Sequence, residues 1–374
     1  MSQPRIGILY LTFPMAKWER DIPNAMKSLQ AMTYPKDRVE LICIESKGGR
    51  EPVWPWFEKE WMPESGKSLP RITYLNRSDE QLGFAENNNL ALAKAKELGC
   101  DYVYLLNEDA EVAPGFLEPM VAKMEADKTI GIAQSLIMLG EERGLVNSVG
   151  NAYHFLGFGY SRGYKWTKEQ AETFYAKERE TNPGLEIAYA SGAGMMVRVA
   201  DLEGRKLFDE AFFMYHEDTD ASFMMRIRGK KVVAVPESVI YHWYEFSKSI
   251  TKFFWMERNR YAMLFMYLRP WTIALIAPLL IAMELALFVF SLLRGWSEEK
   301  IKVYKELVSK NYWHWIGKRR REIQALRKVN DRGLTRLFVA EILFQVDSMK
   351  SPALEYVGNP VMSIYWWLIK KLIV

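Results

Sequence analysis

Two acidic clusters, LLNEDAEV at residues 105–112 and YHEDTD at residues 215–220, lie about a hundred residues apart, each where an apolar run ends. The second belongs to FFMYHEDTDASFMMRIRG, Phe212 to Gly229. Carboxylates in so aromatic and methionine-rich a setting are costly to desolvate unless they have a partner or a task. One reading is capping, because Asp and Glu satisfy free amides and the dipole at helix N-termini. The other takes both clusters together. A strand-end Asp109 can hold a hard divalent cation, Mg²⁺ or Mn²⁺, against a diphosphate. Asp218 or Glu217 can then accept the proton of an incoming hydroxyl. A neutralised leaving diphosphate, a deprotonated acceptor and an oxocarbenium-like centre between them are the requirements of sugar transfer from a nucleotide-diphosphate donor.

The elements that must position these residues follow from the hydrophobic pattern. Short apolar strands alternate with helical patterns: RIGILYLTF, a helix at NAMKSLQAM, VELICIE, RITYLN, a helix at ENNNLALAKAKELG and DYVYLLNED. Strands this continuously apolar predict an α/β fold with a mainly parallel sheet and helices on both faces. Ligands of such sheets bind at the carboxyl ends of strands, which directs attention to Thr12, Glu45, Asn107, Glu108 and Asp109. A helix from Pro114 and the strand IGIAQSLIML come next, then loop-like sequence over about 140–163. IAYASGAGMMVR reads as a strand with a tight turn, and KKVVAVPESVIYHW as a strand pair.

These motifs, in this order, resemble glycosyltransferase family 2 of the GT-A fold, and within it a rhamnosyltransferase-like branch that modifies lipid-linked or cell-envelope glycans. QLGFAENNNLALAKA is similar to its Gly-Phe-Ala…Asn-Asn stretch and YVYLLNEDAEVAPGFLEPM to its strand ending in an Asx-x-Asp metal motif. ASGAGMMVR is similar to its Ser-Gly-Ala turn, and FDEAFFMYHEDTDASFMMRIRGKKVVAVPESVIYH to its most specific segment. The similarity runs from about residue 5 to 262, and weakly through 319–327. It implies Asp109 as metal ligand with His242 as a further one, and Asp218 as the base with Glu217 beside it. It places Thr12, Phe13, Glu45, Asn88, Asn107, Glu108 and Arg258 around the nucleotide, and Ser191, Gly192 and Asp220 around donor sugar and acceptor. The implied donor is dTDP-rhamnose. Alternative readings stand beside these: His242 as a packed ring, Arg258 as a membrane-proximal charge rather than a fork on phosphate with Asn259, and Glu217 and Asp220 as helix caps. Asn107 replaces the first Asp of Asp-x-Asp, Glu45 an Asp, Pro14 an Asn, and Glu86 and Asn87 two glycines.

The 374 residues are 49% hydrophobic and 26% charged, with a formal charge of +4, which fits a large globular domain with an appendage and gives no support to nucleic-acid binding. Cys43 and Cys100 lie in or beside apolar runs without metal or disulfide spacing and read as reduced core residues. MSQPRIGILYLTF enters a strand pattern without a leader-like apolar region, so the catalytic part is expected in the cytoplasm. The organisation expected is a catalytic domain over 1–255 and a helical, membrane-associated region over 256–374. Its segment 271–293 is long enough to cross a bilayer. Basic residues flank that segment on both sides, and Pro278 and Glu284 lie within it, which favours a re-entrant hairpin or a helix in the interface on the cytoplasmic face. GKRRREIQALRK and YWWLIKKLIV are expected to meet anionic lipid. Two further readings stay open: transfer to polyprenyl phosphate, and a catalytically silent membrane scaffold that binds nucleotide.

Overall fold

A computed structural model describes residues 3–13, 17–243, 250–343 and 352–374; Pro14 lies outside them. The strands are β1 (Ile6–Leu11), β2 (Val39–Ser46), β3 (Arg71–Arg77), β4 (Tyr102–Leu106), β5 (Ala110–Val112), β6 (Ile130–Leu139), β7 (Val146–Ser148), β8 (Asn151–His154), β9 (Gly159–Ser161), β10 (Gly194–Arg198), β11 (Lys231–His242) and β12 (Phe338–Val339). The helices are α1 (Trp18–Gln30), α2 (Trp54–Glu60), α3 (Phe84–Glu97), α4 (Leu117–Ala126), α5 (Lys168–Thr181), α6 (Glu217–Ile227), α7 (Ile250–Tyr267), α8 (Pro270–Leu293), α9 (Ser297–Leu307), α10 (Lys310–Ala325), α11 (Asp331–Thr335) and α12 (Asn359–Ile369). The chain forms two compact units, each discontinuous in sequence: Met1–Asn151 with Ser161–Phe213 and Lys230–Tyr244, and Ala152–Tyr160 with Met214–Gly229 and Glu245–Val374.

The first unit is built on a sheet of order β3-β2-β1-β4-β10-β6-β11-β5, with β7 beside β6. β3, β2, β1 and β4 are all parallel, as their continuous hydrophobicity predicts. β10 then enters antiparallel between β4 and β6, and β5 and β7 also pair antiparallel. The sheet is therefore mixed rather than mainly parallel, and strand hydrophobicity could not reveal this because β10 is buried like its neighbours. Alternation divides the faces: Ile6, Ile8 and Tyr10 share a core with Ile22 and Met26 of α1 and Met120 of α4. Gly7 faces the other way, where a Cβ would stand 3.0 Å from Ala95 of α3. A glycine in mid-strand allows that close helix–sheet approach.

Three local expectations change. α2 and α5 were not legible as helices, the second despite a Thr167–Gln170 capping box. The segment 140–163 contains β7, β8 and β9. KKVVAVPESVIYHW is one strand, not two, with its irregularity between Val235 and Val239 around Pro236, which has no amide hydrogen to give the ladder.

The second unit is helical, with a small sheet of order β12-β8-β9. α7 packs against α9 and α10, and α8 against α9 and α12. Glu257, Arg260 and Lys300 are buried as a network: Arg260 Nε donates to Glu257 Oε1 at 2.8 Å and Lys300 Nζ to Glu257 Oε2 at 2.5 Å. Glu284 of α8 joins it through Lys300 at 2.6 Å and Arg260 at 3.1 Å. The charge that looked expensive in an apolar segment is thus paired. α8 is one continuous helix through Pro278, so a hairpin does not form. The basic run also has internal work. Arg320 Nη1 donates to the carbonyls of Phe265 and Leu268 at 2.5 and 2.7 Å, capping the C-terminal end of α7, where a helix leaves carbonyls unpaired and favours a cation.

Candidate active site

In the first unit the acidic corner is set by strand register. β5 runs antiparallel to β11 with Ala110 opposite His242, so Asp109, one residue earlier, meets the last residue of β11. The turn is pinned by Ala110 N donating to Asn107 O, by Tyr10 Oη donating to Glu108 O at 2.9 Å and by Trp243 N donating to Asp109 O at 2.9 Å. His242 Nε2 stands 3.0 Å from Asp109 Oδ1 and 3.4 Å from Asn107 Nδ2. Burial acts to raise the Asp109 carboxyl, but the imidazole outweighs it and holds the group below its ordinary range. Burial acts to lower His242, and Asp109 outweighs it in turn, so the ring is raised. Glu108 is pushed up to about 8 by burial and then by the charge of Asp109.

A divalent cation fits this corner. Ligands on adjacent positions of a cation with bonds of about 2.1 Å stand about 3 Å apart, which matches the separation of Nε2 and Oδ1. One proton on Nε2 can serve only one of its two neighbours, whereas a cation accepts His242, Asp109 and, after an amide flip, the Asn107 oxygen together. Among the described residues no group of three His, Cys, Asp or Glu side chains is gathered for a metal. Remaining positions would fall to substrate oxygens and water, as is common for Mg²⁺.

The other expected nucleotide contacts in this unit have internal partners. Glu45 is fully buried; its Oε1 accepts from Val53 N at 2.5 Å, and its Oε2 from Trp54 N at 3.0 Å and Tyr74 Oη at 2.8 Å. It anchors the start of α2 instead of presenting a free carboxylate to a ribose. Thr12 Oγ1 donates to Tyr74 Oη at 2.9 Å, which extends that chain to the end of β1, and Phe13 beyond it is half-buried. Asn88 is buried in α3 and donates back to Phe84 O at 2.9 Å. Ser191 N donates to Gln134 Oε1 at 2.8 Å, shaping the turn that holds buried Gly192.

In the second unit α6 starts at Glu217 after an unusual approach. Tyr215 and His216 have φ of 63° and 67°, a left-handed region costly for residues with a Cβ, and such strain gathers at functional sites. Asn259 of α7 holds this segment: its Nδ2 donates to Met214 O at 2.9 Å and Tyr215 O at 2.8 Å. Four polar residues in succession, Glu257 to Asn259 and Arg260, inside an otherwise apolar helix were the signal for such a role, since buried polar groups need partners. Asp218 is half-buried, and its Oδ1 accepts from Thr219 N at 2.7 Å. Glu217 is buried and pushed well above the carboxylate range, first by burial and then by Asp218.

Asp220 and Arg258 are not placed as open ligands. Asp220 is fully buried, accepting from Tyr267 Oη at 2.6 Å and from Arg319 Nη2 at 2.8 Å, so it ties α6 to α7 and α10. Arg319, expected at lipid, is thereby internal. The Arg258 guanidinium is buried among aromatic rings, 4.5 Å from Trp315 and 5.3 Å from Trp255, with Nη1 donating to Asn259 Oδ1 at 2.9 Å.

Residues 17–204 match the model of glycosyl transferase family 2. The chain belongs to that family and is a glycosyltransferase with a mixed α/β fold. The matched span contains Asn107, Asp109, Ser191 and Gly192 and ends before Asp218 and His242. No curated protein matches the sequence. Among solved structures, that of GalNAc-T7 with UDP, GalNAc and Mn²⁺ shares 14% identity and a TM-score of 0.52 over 70% of this chain. The chain spans 47% of that protein's length, about half. The mannosyltransferase PcManGT of Pyrobaculum calidifontis, with GDP-Man and Mn²⁺, shares 15% identity over 87% of this chain and 86% of its own, at a TM-score of 0.48. Residues 1–349 of S. aureus TarS, with UDP-GlcNAc, share 14% identity over 98% and 90% of the two chains, at 0.49. At 14% identity the likeness to GalNAc-T7 is one of fold.

Proposed function

We propose that this chain is an inverting glycosyltransferase that moves a sugar from a nucleotide-diphosphate donor to a hydroxyl of a lipid-linked or cell-envelope glycan at the cytoplasmic face of a membrane. The observation that carries the donor half is the meeting of Asn107, Asp109 and His242 at the ends of β4 and β11. These three residues would hold the cation, Mg²⁺ or Mn²⁺, and the charge it supplies neutralises the leaving diphosphate. GalNAc-T7, similar in fold, was solved with UDP and Mn²⁺.

Asp218 takes the proton of the acceptor hydroxyl as that oxygen attacks the anomeric carbon. The new C–O bond forms on the face opposite the departing diphosphate, whose C–O bond breaks, so configuration inverts without a glycosyl-enzyme intermediate. Thr219 orients the Asp218 carboxylate and Asn259 fixes the segment before it. General-base catalysis of this kind is worth roughly 10²- to 10⁴-fold. The donor taken from the resemblance is dTDP-rhamnose.

The test is nucleotide-diphosphate release by detergent-solubilised protein across a panel of nucleotide-sugars, with Mg²⁺ or Mn²⁺ and with chelator. Turnover with one donor, abolished by chelator and by Asp109→Ala, supports the reading, and dTDP-rhamnose is the donor expected. If no donor binds with either metal, the reading fails and a silent scaffold takes its place. If polyprenyl phosphate alone suffices as acceptor, the acceptor assignment is overturned.

A further inference from the structure

α8 has two unlike faces. Thr272, Ile276, Leu280 and Ser291 are buried against the rest of the second unit, and Glu284 between them is ion-paired. Ile281, Leu285, Val289 and Leu292 are 53–64% exposed and recur at helical spacing along the outer side. α12 repeats the arrangement, with Met362, Trp366 and Ile369 buried and Val361, Ile364 and Leu368 exposed by 50–63%, and Leu372 just beyond its end is exposed as well. The two helices lie side by side and antiparallel: Trp271 Nε1 donates to Leu372 O at 3.1 Å and Tyr365 Oη to Leu275 O at 2.7 Å. Together they carry two neighbouring rows of exposed apolar side chains, of the kind that marks an interaction site.

The end where α8 begins and α12 finishes is cationic. Residues 269–271, 327–336 and 370–374 carry seven Lys and Arg side chains and one acidic side chain, Asp331. Asp331 is already taken by Arg327 at 3.1 Å and by Arg269 N at 2.7 Å. An open cleft of about 450 Å³ lies there, lined by Arg269, Arg327, Lys328, Val329 and Asn330. Trp271 and Trp367 are exposed at the same margin, and Lys371 Nζ sits 3.3 Å above the Trp367 ring. Tryptophan and lysine in this relation belong to the headgroup level of a bilayer.

We propose that the outer faces of α8 and α12, with the cationic cleft at their shared end, are a docking surface for an anionic lipid bilayer, and that α8 lies in the plane of the interface without crossing it. Charge selects the occupant: headgroup phosphates answer the cleft and acyl chains the apolar stripe, whereas a second copy would bring cations of the same sign. Packing selects the orientation. α9 is bound along α8 through Lys300 and Tyr304, and its outer side carries exposed Lys302 and Lys305. A crossing α8 would draw those charges into hydrocarbon, which is strongly unfavourable. An in-plane α8 keeps them, and both flanks, in water. The inference stands apart from the transfer reaction, since none of these residues holds donor or acts as base.

The experiment is flotation of the full chain with vesicles of phosphatidylcholine alone or with phosphatidylglycerol, beside Leu285→Glu with Val289→Glu and, separately, Arg269→Glu with Lys328→Glu. Wild type should float with the anionic vesicles at least tenfold more than with the neutral ones. The charge-reversed variant should lose that preference, and the apolar-face variant should float with neither. All four substituted positions are solvent-exposed, and an unchanged circular dichroism melt confirms that the fold is kept. Cysteines introduced at Arg269 or Arg294 should both label with an impermeant maleimide added outside preformed vesicles. Protection of one of them would overturn the in-plane orientation. Equal flotation of all variants, or a concentration-dependent dimer that binds no vesicle and is dispersed by the apolar-face variant, would overturn the docking surface.

Discussion

The two units hold their carboxylates by different physics. In the first, Asp109 is placed by sheet register: the β5–β11 ladder sets it 3.0 Å from His242 in a buried corner. In the second, Asp218 follows a segment with two left-handed residues, held open by the side-chain amide of Asn259. A ladder is redundant, because many backbone bonds share the task. A strained segment depends on its few clamps. The cation corner should therefore tolerate distant changes, and the base should not.

The strongest way to break the contrast is to remove a foundation of the second unit. Lys300→Met removes one of the two cations that Glu257 and Glu284 share and leaves Arg260, and breaking a buried pair costs about 3–5 kcal/mol. Denaturant unfolding should show that loss, with Mn²⁺ affinity at the Asp109 corner measured below the transition to separate the units. Asn259→Ala is a finer cut. It strands two carbonyls, and a displaced base is worth about 10²-fold in rate. Turnover should drop by about that much while donor and cation affinities stay as in wild type; an equal fall in donor affinity would make Asn259 a binding group instead.

Acid should weaken the second unit in a defined window. Burial lowers His154 to about 3 and His216 to about 4, in each case by desolvation first. A histidine lowered in the folded state contributes stability above its unfolded pKa of about 6.5, and loses it as pH falls toward the folded value. At pH 5, His154 alone should cost about 2 kcal/mol, with His216 acting in the same direction. Glu257, lowered to about 2 because Arg260 and Lys300 outweigh its burial, adds a further loss below about pH 4.5. A His154→Gln variant should flatten the slope between pH 6.5 and 5. The smallest effect expected is for Glu45→Gln, which weakens charge-assisted bonds to the start of α2 by about 1 kcal/mol. Donor affinity should be nearly unchanged, since Glu45 is engaged within the protein.

Much of this architecture is legible in the sequence, and the failures have causes. The parallel strands β1–β4 and the strand-end location of Asn107 to Asp109 follow from hydrophobic runs and their ends. The antiparallel entry of β10 does not, because direction leaves no mark on a buried strand. Glu45, Asp220 and Arg258 carry the residue types of ligands and stand at suitable places in the chain, yet each is engaged by partners distant in sequence: Tyr74 for Glu45, Tyr267 and Arg319 for Asp220, Trp315 and Glu306 for Arg258. The run around Arg319 and Arg320 reads as a surface charge patch, and only the fold reveals that Arg319 pairs with Asp220 and Arg320 caps the end of α7. Composition identifies groups that need compensation, and topology decides whether substrate or protein compensates them.

The most direct measurement compares binding and turnover in Asp218→Asn. Calorimetric titration with the nucleotide-sugar and Mn²⁺ should give a dissociation constant within about twofold of wild type, and nucleotide-diphosphate release with acceptor should fall about 10³-fold. Wild-type turnover in that variant would contradict the assignment of Asp218 as the base.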